Sequence, residues 1–354
     1  MADDARDAAT RLATRIEIAK LAHELDLGAD ELAFLEDRDP QPVRRLRQDV
    51  SAALYARHET RFRRLAALSA AVPVTIAVKA AQLAVGPVVS ARIAASMPPD
   101  EAVRMAGRFS PDFLADLTLS LDPTRVEAII RELDHDLVTK VGRLLLARGE
   151  HLVLGRFVSL VDTAPALAVV DGASPGDLLQ VALYAEDRSA LSVLVLALPV
   201  EVVAATIDDS HATGTQTDAL TLLTSLDDPA RTRVIAALAT LPADRQDGFL
   251  RAVVAMAAWP EVLPGVGGLD DEALGVLANG PTTADAAVLD EVVAAARALD
   301  RPDLLARLLL ALDAPHREQL ARARVVRDAD LVAWVRDGAG DDAARVDALL
   351  ADLA

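Results

Sequence analysis

Apolar positions between residues 98 and 133 recur at spacings of three and four, inside short segments that share the same start. Each segment opens on a proline, and Pro99, Pro111 and Pro123 lie twelve residues apart. Proline is tolerated in the first turn of a helix and is costly further along, so it marks a helix start. A fixed period with a repeated start signal is typical of helical repeats. The pattern therefore predicts a stack of short amphipathic helices.

The residues before the prolines support this interpretation. Ser110 and Asp122 stand directly before two of them, where a side-chain oxygen can cap the first free amide groups of a helix. Two later pairs, Ser174-Pro175 and Asp228-Pro229, have the same form, and Asp134 falls where a fourth start is due. A helix of about ten residues is marginal alone in water. The segments are therefore predicted to stack as antiparallel pairs around a shared core.

Composition leads to the same fold class. Apolar residues make up 52% of the 354 residues and aromatic residues only 3%, with many alanines and leucines, which are strong helix formers. We predict an all-α fold, a right-handed α-solenoid or superhelix of short antiparallel helices. Residues 1–96 would form an N-terminal helical cap with a basic helix and an apolar connector, and residues 97–354 the repeat domain. Loops are predicted at 208–218, 259–272 and 278–285.

The overall charge excludes some functions. A net charge of −18 argues against nucleic-acid binding, which needs a basic surface. The chain has no cysteine, so disulfides and thiol chemistry are absent. Its first twenty residues contain no apolar signal core. We therefore expect a cytoplasmic protein, with a membrane-peripheral location left open.

A basic segment is followed directly by an apolar one. Seven arginines lie between residues 44 and 64, and Lys79 is the only charged residue from 65 to 91. The run before Lys79 is shorter than the roughly 20 apolar residues that a membrane span needs, and Pro73 interrupts it. We expect no transmembrane span. Two alternatives stay open: short buried helices broken near Gly86-Pro87, or a surface that contacts a membrane or a partner. The candidate residues for that surface are Arg57, Arg61, Arg63, Arg64 and Lys79.

Two further sets of polar residues are candidate sites. Arg148, His151 and Arg156 flank an apparent turn and could line a groove. Acidic residues and a histidine between 208 and 218 are the nearest approach to a metal or catalytic cluster in a predicted loop. These candidates are Asp208, Asp209, His211 and Asp218. Structural roles, a corner in the first case and solvated side chains in the second, are the alternatives.

No catalytic motif is present. The sequence contains no His-Glu-x-x-His, no P-loop and no Gly-x-Ser-x-Gly. The glycines at 265–268 are not preceded by a predicted strand, so they indicate a turn rather than a dinucleotide site. We therefore expect no cofactor, and no residue pattern here indicates an enzyme, although enzymatic activity stays an open alternative.

The run MPPDEAVRMAGRFSPDFLADLTLSLDPTRVEAIIRELDHDLV, from Met97 onward, resembles the intracellular N-terminal domain of MgtE-type magnesium transporters. That domain is a superhelix of short helices with repeated Leu-x-Pro-x-x-x-Ala starts. The sequence shows no regulatory nucleotide-binding pair of domains and no multi-span region, so the resemblance does not imply transport. It implies a helical superhelix, and magnesium binding by acidic helix ends, with no ligand residues carried over.

Three functional hypotheses follow. The first is a non-enzymatic protein-interaction scaffold with a protein partner or a second copy of the chain on its surface. The second is a peripheral membrane- or lipid-associated protein that uses Arg57–Arg64 and the apolar 65–91 segment. The third is a binder of a small ligand or divalent cation, with a pocket between helices.

Overall fold

A computed structural model describes residues 2–320 and 328–353. Within these ranges all regular structure is helical and no strand occurs, so the prediction of an all-α fold is confirmed. The chain divides into two compact units. The first unit is Ala8–Ala197, and the second is Leu198–Ala354 together with Met1–Asp7. Residues 65–96, predicted to belong to a cap, pack in the same unit as residues 97–197.

Most helices of the first unit are two to four turns long. They are α1 Ala2–Leu25, α2 Pro40–Ala56, α3 Glu59–Ala70, α4 Val74–Ala80, α5 Pro87–Ala94, α6 Pro99–Ala106, α7 Pro111–Thr118, α8 Pro123–Glu132, α9 His135–Ala147, α10 His151–Phe157, α11 Thr163–Val170, α12 Pro175–Leu183 and α13 Arg188–Ala197. A π-helical turn, Ala81–Val85, continues α4, and 3-10 turns occur at Ala29–Leu35 and Val158–Leu160.

The second unit continues with helices of similar length. They are α14 Val200–Thr213, α15 Gln216–Thr224, α16 Asp228–Ala239, α17 Ala243–Ala255, α18 Trp259–Val266, α19 Asp271–Ala278, α20 Ala286–Ala298, α21 Pro302–Ala311, α22 Ala314–Leu320, α23 Ala329–Gly338 and α24 Ala343–Leu353. Short 3-10 turns occur at Thr282–Ala284 and Gly340–Asp342.

The prolines mark helix starts as the sequence predicts. Pro99, Pro111 and Pro123 are the first residues of α6, α7 and α8. The Ser110 hydroxyl accepts a hydrogen bond from the Phe113 amide at 3.3 Å, and the Asp122 carboxylate accepts one from the Thr124 amide at 3.0 Å. These bonds satisfy amide groups that have no partner inside the helix.

Three other starts were also predicted, and the one at Ser174-Pro175 is confirmed, because α12 begins at Pro175 and Ser174 caps it. The fourth start of the period is confirmed, because α9 begins at His135 and the Asp134 carboxylate accepts from the Leu137 amide at 3.1 Å. The start at Asp228-Pro229 lies one residue earlier than predicted. Asp227 caps α16, so Asp228 is already its first residue. Proline is tolerated at the second helical position for the same reason as at the first.

Most helices of the first unit pack mainly against the helix two positions further along the chain, so that α5 packs on α7 and α7 on α9. The series α3, α5, α7, α9, α11 and α13 contacts in this order, and so do the pairs α6 with α8 and α10 with α12. Side chains facing inward from these series form one apolar core that includes Val126, Leu145 and Val153. Small and branched aliphatic side chains allow the short helices to approach closely.

The second unit shows the same alternation, through α14, α16, α18 and α20 and through α15 and α17. Two loop predictions are corrected here. Residues 208–213 are helical, because α14 continues to Thr213 and ends at Gly214, whose φ of +74° favours glycine. Residues 259–266 form α18, since Pro260 lies in its first turn and the buried Trp259 and Leu263 anchor it.

Candidate apolar binding site

The apolar segment 65–91 is divided into short helices by its prolines and one glycine. Pro73 caps α4, and Pro87 is the first residue of α5. Gly86 joins the π-helical turn to α5 with a φ of +82°, a conformation that side chains rarely adopt. The predicted break near Gly86-Pro87 is therefore confirmed, and no helix here approaches the length of a membrane span.

This segment is buried on one side and exposed on the other. Ala66, Val78 and Ala91 face the core. Eight of the fifteen exposed large apolar side chains in the described part of the chain also lie here, and Leu83 is 85% exposed. These eight, which we call the apolar face, are Leu65, Leu68, Val72, Ile76, Leu83, Val85, Val88 and Val89. The segment thus combines buried core residues with an exposed apolar surface.

A cavity of about 460 Å³ extends from the apolar face into the core of the first unit. Its wall includes the exposed Leu68 and Ile76 as well as the fully buried Val126 and Val153. Helices α3 to α10 all contribute to it. Protein interiors are normally close-packed, with few voids larger than a water molecule. This volume lies within the roughly 300–1,000 Å³ range of ligand pockets.

Only three hydroxyl side chains interrupt the apolar wall, and two of them are satisfied. Ser69 Oγ donates to the Ala66 carbonyl at 2.7 Å, and Thr118 Oγ1 donates to the Leu114 carbonyl at 2.7 Å. Ser90 is 6% exposed, and its Oγ has no hydrogen-bond partner among the residues that the structure describes. A buried hydroxyl without a partner is costly, so Ser90 is a polar anchor in an otherwise apolar cavity.

Basic side chains adjoin the apolar face. Arg57, Arg61, Arg63, Arg64 and Lys79 are all exposed, as a surface role requires. Arg63 pairs with Glu59 at 2.6 Å, one turn earlier on α3. The other four make no ion pair within residues 2–320 and 328–353.

The spacing on α3 places charge and apolar surface on one helix face. Arg61 and Arg64 precede Leu65 and Leu68 by four residues each, and residues so spaced are neighbours on a helix. Lys79 follows Ile76 by three residues on α4 and has the same relation to it. Long basic side chains can lie along apolar surface while their charges stay in water. The structure therefore combines apolar and cationic groups in one region.

The predicted groove residues do not converge. Arg148 donates to Asp116 at 2.7 Å and to Asp112 at 3.1 Å, which joins α9 to α7. His151 and Arg156 also have carboxylate partners. Each of the three side chains thus connects a different pair of helices.

His151 Nε2 lies 2.7 Å from Asp177 Oδ1, which links α10 to α12. A hydrogen bond from Ser174, together with His151, lowers the pKa of the Asp177 carboxyl below its usual value. Arg156 is buried and pairs with Glu24 of α1. These contacts are structural, because each joins two helices of the first unit and gives the cationic side chain a carboxylate partner.

The four metal candidates lie on two helices and not in the single loop that the sequence predicts. Asp208 and Asp209 lie on α14 and Asp218 lies on α15. Arg245 donates to Asp208 at 2.6 Å, and His211 Nδ1 lies 3.2 Å from the side-chain nitrogen of Gln216. Among the described residues, no group of three or more histidines and carboxylates is arranged to hold a metal ion. The structure therefore does not bring these four residues together as a site.

A buried ionic cluster in the first unit was missed by sequence reasoning. Lys20 is 1% exposed, and its Nζ lies 3.4 Å from Glu186 Oε1 and 3.6 Å from Glu17 Oε1. Arg47 donates to Glu17 at 3.1 Å and to Glu186 at 3.0 Å. A signal is present in the sequence, because Glu17 and Lys20 directly precede the apolar Ile18 and Leu21 on α1. All four residues are buried.

Burial lowers the pKa of the Lys20 ammonium, against the attraction of Glu186 and Glu17. Burial also opposes ionisation of Glu186, but Lys20, Arg47 and Arg156 together outweigh it and lower the pKa of this carboxyl. Every charge in the cluster has a counter-charge within contact distance. Because its charges compensate one another, we assign the cluster to fixing α1 and α2 on the first unit.

No protein-family model matches this chain, and no curated protein or solved structure matches it significantly. The described residues include no single helix with the length and apolar character to cross a bilayer. By length and composition, Arg188–Ala197 and Val200–Thr213 pass that test only when taken together across a sharp bend.

Proposed function

We propose that this chain is a non-enzymatic protein that associates with the surface of an anionic lipid bilayer. The observation that carries the proposal is the apolar face of residues 65–89, beside four exposed cationic side chains that make no ion pair in the described parts of the chain. The proposed docking side chains are Arg57, Arg61, Arg64, Lys79 and the apolar face itself.

Two energetic terms favour a membrane. Burying apolar surface yields about 25 cal/mol per Å², so a clustered set of large apolar side chains is a substantial driving force. A basic residue near an anionic leaflet contributes about 1 kcal/mol. Neither term alone gives stable association, and their combination is what interfacial helices use.

The charge distribution also favours an anionic surface. The chain has a net charge of −18, so most of it is repelled by anionic lipid. The surface between residues 57 and 79 reverses this locally, because Arg57, Arg61, Arg64 and Lys79 are exposed and make no ion pair in the described parts of the chain. Attraction at one place and repulsion elsewhere would fix a single docking orientation and keep the protein peripheral. We infer a cytoplasmic, membrane-peripheral location on the same grounds.

Vesicle flotation tests the proposal. The full chain is expected to float with phosphatidylcholine vesicles that contain phosphatidylserine at low salt, and to float less as salt rises because screening weakens the attraction. The double variant Arg61→Glu/Arg64→Glu should remain unbound. The matched control, Arg131→Glu/Lys140→Glu, makes the same charge change at exposed positions outside the segment and should float like the unchanged chain.

Two results would contradict membrane association. The first is failure of the unchanged chain to float at low salt. The second is equal loss of flotation in both double variants, which would show that net charge rather than this surface matters. If the chain instead forms a dimer that Arg61→Glu/Arg64→Glu dissociates in sedimentation velocity, the surface binds a second copy.

A protein-interaction scaffold is the second candidate. Its support is the packing of each helix against the second helix along the chain, as in α5, α7 and α9, which leaves a repeated outer surface. We infer from this packing a right-handed superhelix, like that of the MgtE-type domain the sequence resembles. A scaffold would bind protein through outward residues away from the apolar face, so its partner should still bind the Arg61→Glu/Arg64→Glu variant.

A further inference from the structure

We propose that the cavity of the first unit holds one acyl chain, whose carbonyl oxygen accepts a hydrogen bond from Ser90 Oγ. The chain could come from a free fatty acid or from a lipid ester, because a carboxylate and an ester carbonyl both present an acceptor oxygen at the end of an alkyl chain. Entry from a bilayer rests on the proposed function, whereas occupancy of the cavity does not.

The wall of the cavity determines the kind of ligand. Apart from three hydroxyl side chains, it consists mainly of Ala, Val, Leu, Ile and Met side chains with two phenylalanines, Phe109 and Phe157. The eight successive helices α3 to α10 all contribute residues to it. Water inside such a wall would lack the two to four polar partners that it needs. A flexible alkyl chain can follow an irregular aliphatic surface, and each buried methylene contributes about 0.8 kcal/mol.

The free hydroxyl of the cavity wall indicates where the polar group of the ligand would lie. Ser69 and Thr118 already donate to backbone carbonyls, so Ser90 is the one hydroxyl of the cavity wall with no partner in the described structure. Its position on α5, between the exposed Val88 and Val89 and the buried Ala91, is near the transition from the apolar face to the core. A single hydroxyl matches one carbonyl oxygen, and it does not match a ligand with many polar groups.

The rim of the cavity is continuous with the apolar face and its cations. Leu65, Leu68, Val72, Ile76 and Val85 belong to both. Arg64 and Lys79 neighbour this rim on α3 and α4. The charge of a carboxylate or phosphate head group outside the cavity would therefore meet cationic side chains.

The second unit provides an internal control. It contains a smaller apolar cavity of about 70 Å³, whose wall includes Trp259, Leu263 and Ala278. This volume lies far below the range of drug-sized ligand pockets. We therefore expect acyl binding in the first unit alone, and a substitution that fills the second cavity should not affect it.

Titration with the fluorescent fatty acid cis-parinaric acid, without vesicles, tests occupancy directly. The full chain should bind it saturably with one-to-one stoichiometry. Ser90→Ala removes one hydroxyl without adding bulk, and it should weaken binding about tenfold, in line with the loss of one buried hydrogen bond. Ala94→Phe adds an aromatic ring to the cavity wall and should abolish binding. Ala278→Leu, in the second cavity, should bind like the unchanged chain.

A second measurement identifies the natural source of the chain. Protein incubated with phosphatidylserine vesicles and then separated by gel filtration is analysed for bound lipid by mass spectrometry. Recovery of phospholipid indicates a lipid ester as the ligand, and recovery of fatty acid alone indicates the free acid. Loss of the recovered lipid in Ala94→Phe assigns it to this cavity.

Two outcomes would overturn the inference. One is the absence of saturable cis-parinaric acid binding together with the absence of co-purified lipid. The other is binding that both Ser90→Ala and Ala94→Phe leave unchanged while circular dichroism shows them folded. Membrane docking has a separate readout. The variant Arg61→Glu/Arg64→Glu should lose flotation with vesicles and should still bind cis-parinaric acid, so failure of one proposal can be told from failure of the other.

Discussion

Lys20 Nζ lies 3.4 Å from Glu186 Oε1, and this ion pair joins α1 to the turn after α12 within the first unit. Arg47 of α2 donates to the other oxygen of the same carboxylate at 3.0 Å. One acidic side chain thus holds two cations from two N-terminal helices. Since Lys20 and Arg47 are buried, both depend on Glu186 and Glu17 for compensation.

Glu186→Gln should therefore destabilise the protein strongly. Removing one member of a buried ionic group costs about 3–5 kcal/mol, because the opposite charge stays buried without compensation. Glu186 is partly exposed and Glu17 remains, so we expect a loss of about 3 kcal/mol in urea unfolding.

Glu127→Gln is the control for that substitution. Glu127 pairs with Arg131 at 3.0 Å on the surface of α8, and an exposed pair of this kind contributes about 0.5 kcal/mol. Equal effects of the two substitutions would show that the buried cluster does not fix α1 and α2.

Stability should also depend on acid pH through Asp177. The pKa of this carboxyl is lowered in the folded chain by the Ser174 hydrogen bond and by His151. A carboxyl with a lowered pKa stabilises the fold above its unfolded pKa, and this contribution is lost as pH falls through the folded value. Asp177→Asn should reduce the slope of the free energy of unfolding against pH below about 4. Asp171→Asn, which makes the same substitution at an exposed position, is the control.

The helix starts could be predicted because they depend on local chemistry. Pro111, Pro123 and Asp134 act within four residues of themselves, so one sequence contains all the information that their roles need. The helices at 208–213 and 259–266 could not be predicted, because glycine and proline, here Gly214 and Pro260, are also common in loops. Their context, a left-handed C-cap in one case and a buried Trp259 in the other, is set by packing.

The candidate site was predictable in part. Arg57 to Arg64 and the apolar run 65–91 are contiguous in sequence, so a surface hypothesis could be made from residues alone. The cavity could not be foreseen, since its wall is assembled from eight helices and Ser90 is unremarkable in sequence. Arg148, His151 and Arg156 were grouped by proximity along the chain, but their partners Asp112, Asp177 and Glu24 lie on three other helices.

The helix period can be tested at its fourth start. Asp134→Ala removes the hydrogen bond to the Leu137 amide and should cost about 1 kcal/mol in urea unfolding, the usual effect of losing an N-terminal cap. Asp136→Ala, in the first turn of the same helix, changes the charge equally but removes no cap, and it should cost less. An equal loss in both variants would assign the effect to the helix dipole rather than to the cap.

Replacing a glycine by alanine should have opposite effects on stability at two positions, because the space around the two glycines differs. A Cβ at Gly155 of α10 would lie 2.5 Å from the Val181 carbonyl oxygen and 2.6 Å from Tyr184 Cβ, so α10 and α12 would have to separate. Gly155→Ala should destabilise the chain by about 1–3 kcal/mol. A Cβ at Gly275 of α19 meets no described atom within 4 Å, and Gly275→Ala should stabilise the chain by about 0.5–1 kcal/mol through the unfolded state. Thermal unfolding distinguishes the two signs.

Leu83 offers the sharpest single-residue test of membrane docking. It is 85% exposed in the apolar face, so Leu83→Ser should change the free energy of unfolding by less than about 0.5 kcal/mol. Burying a leucine side chain in lipid contributes about 1.5–3 kcal/mol, and its loss should reduce the partition coefficient onto phosphatidylserine vesicles at least about tenfold. Phe34 is 72% exposed in a 3-10 turn outside the face, so Phe34→Ser should partition like the unchanged chain. If both variants partition equally, exposed apolar area at any position suffices, and the orientation set by α3 and α4 has no role.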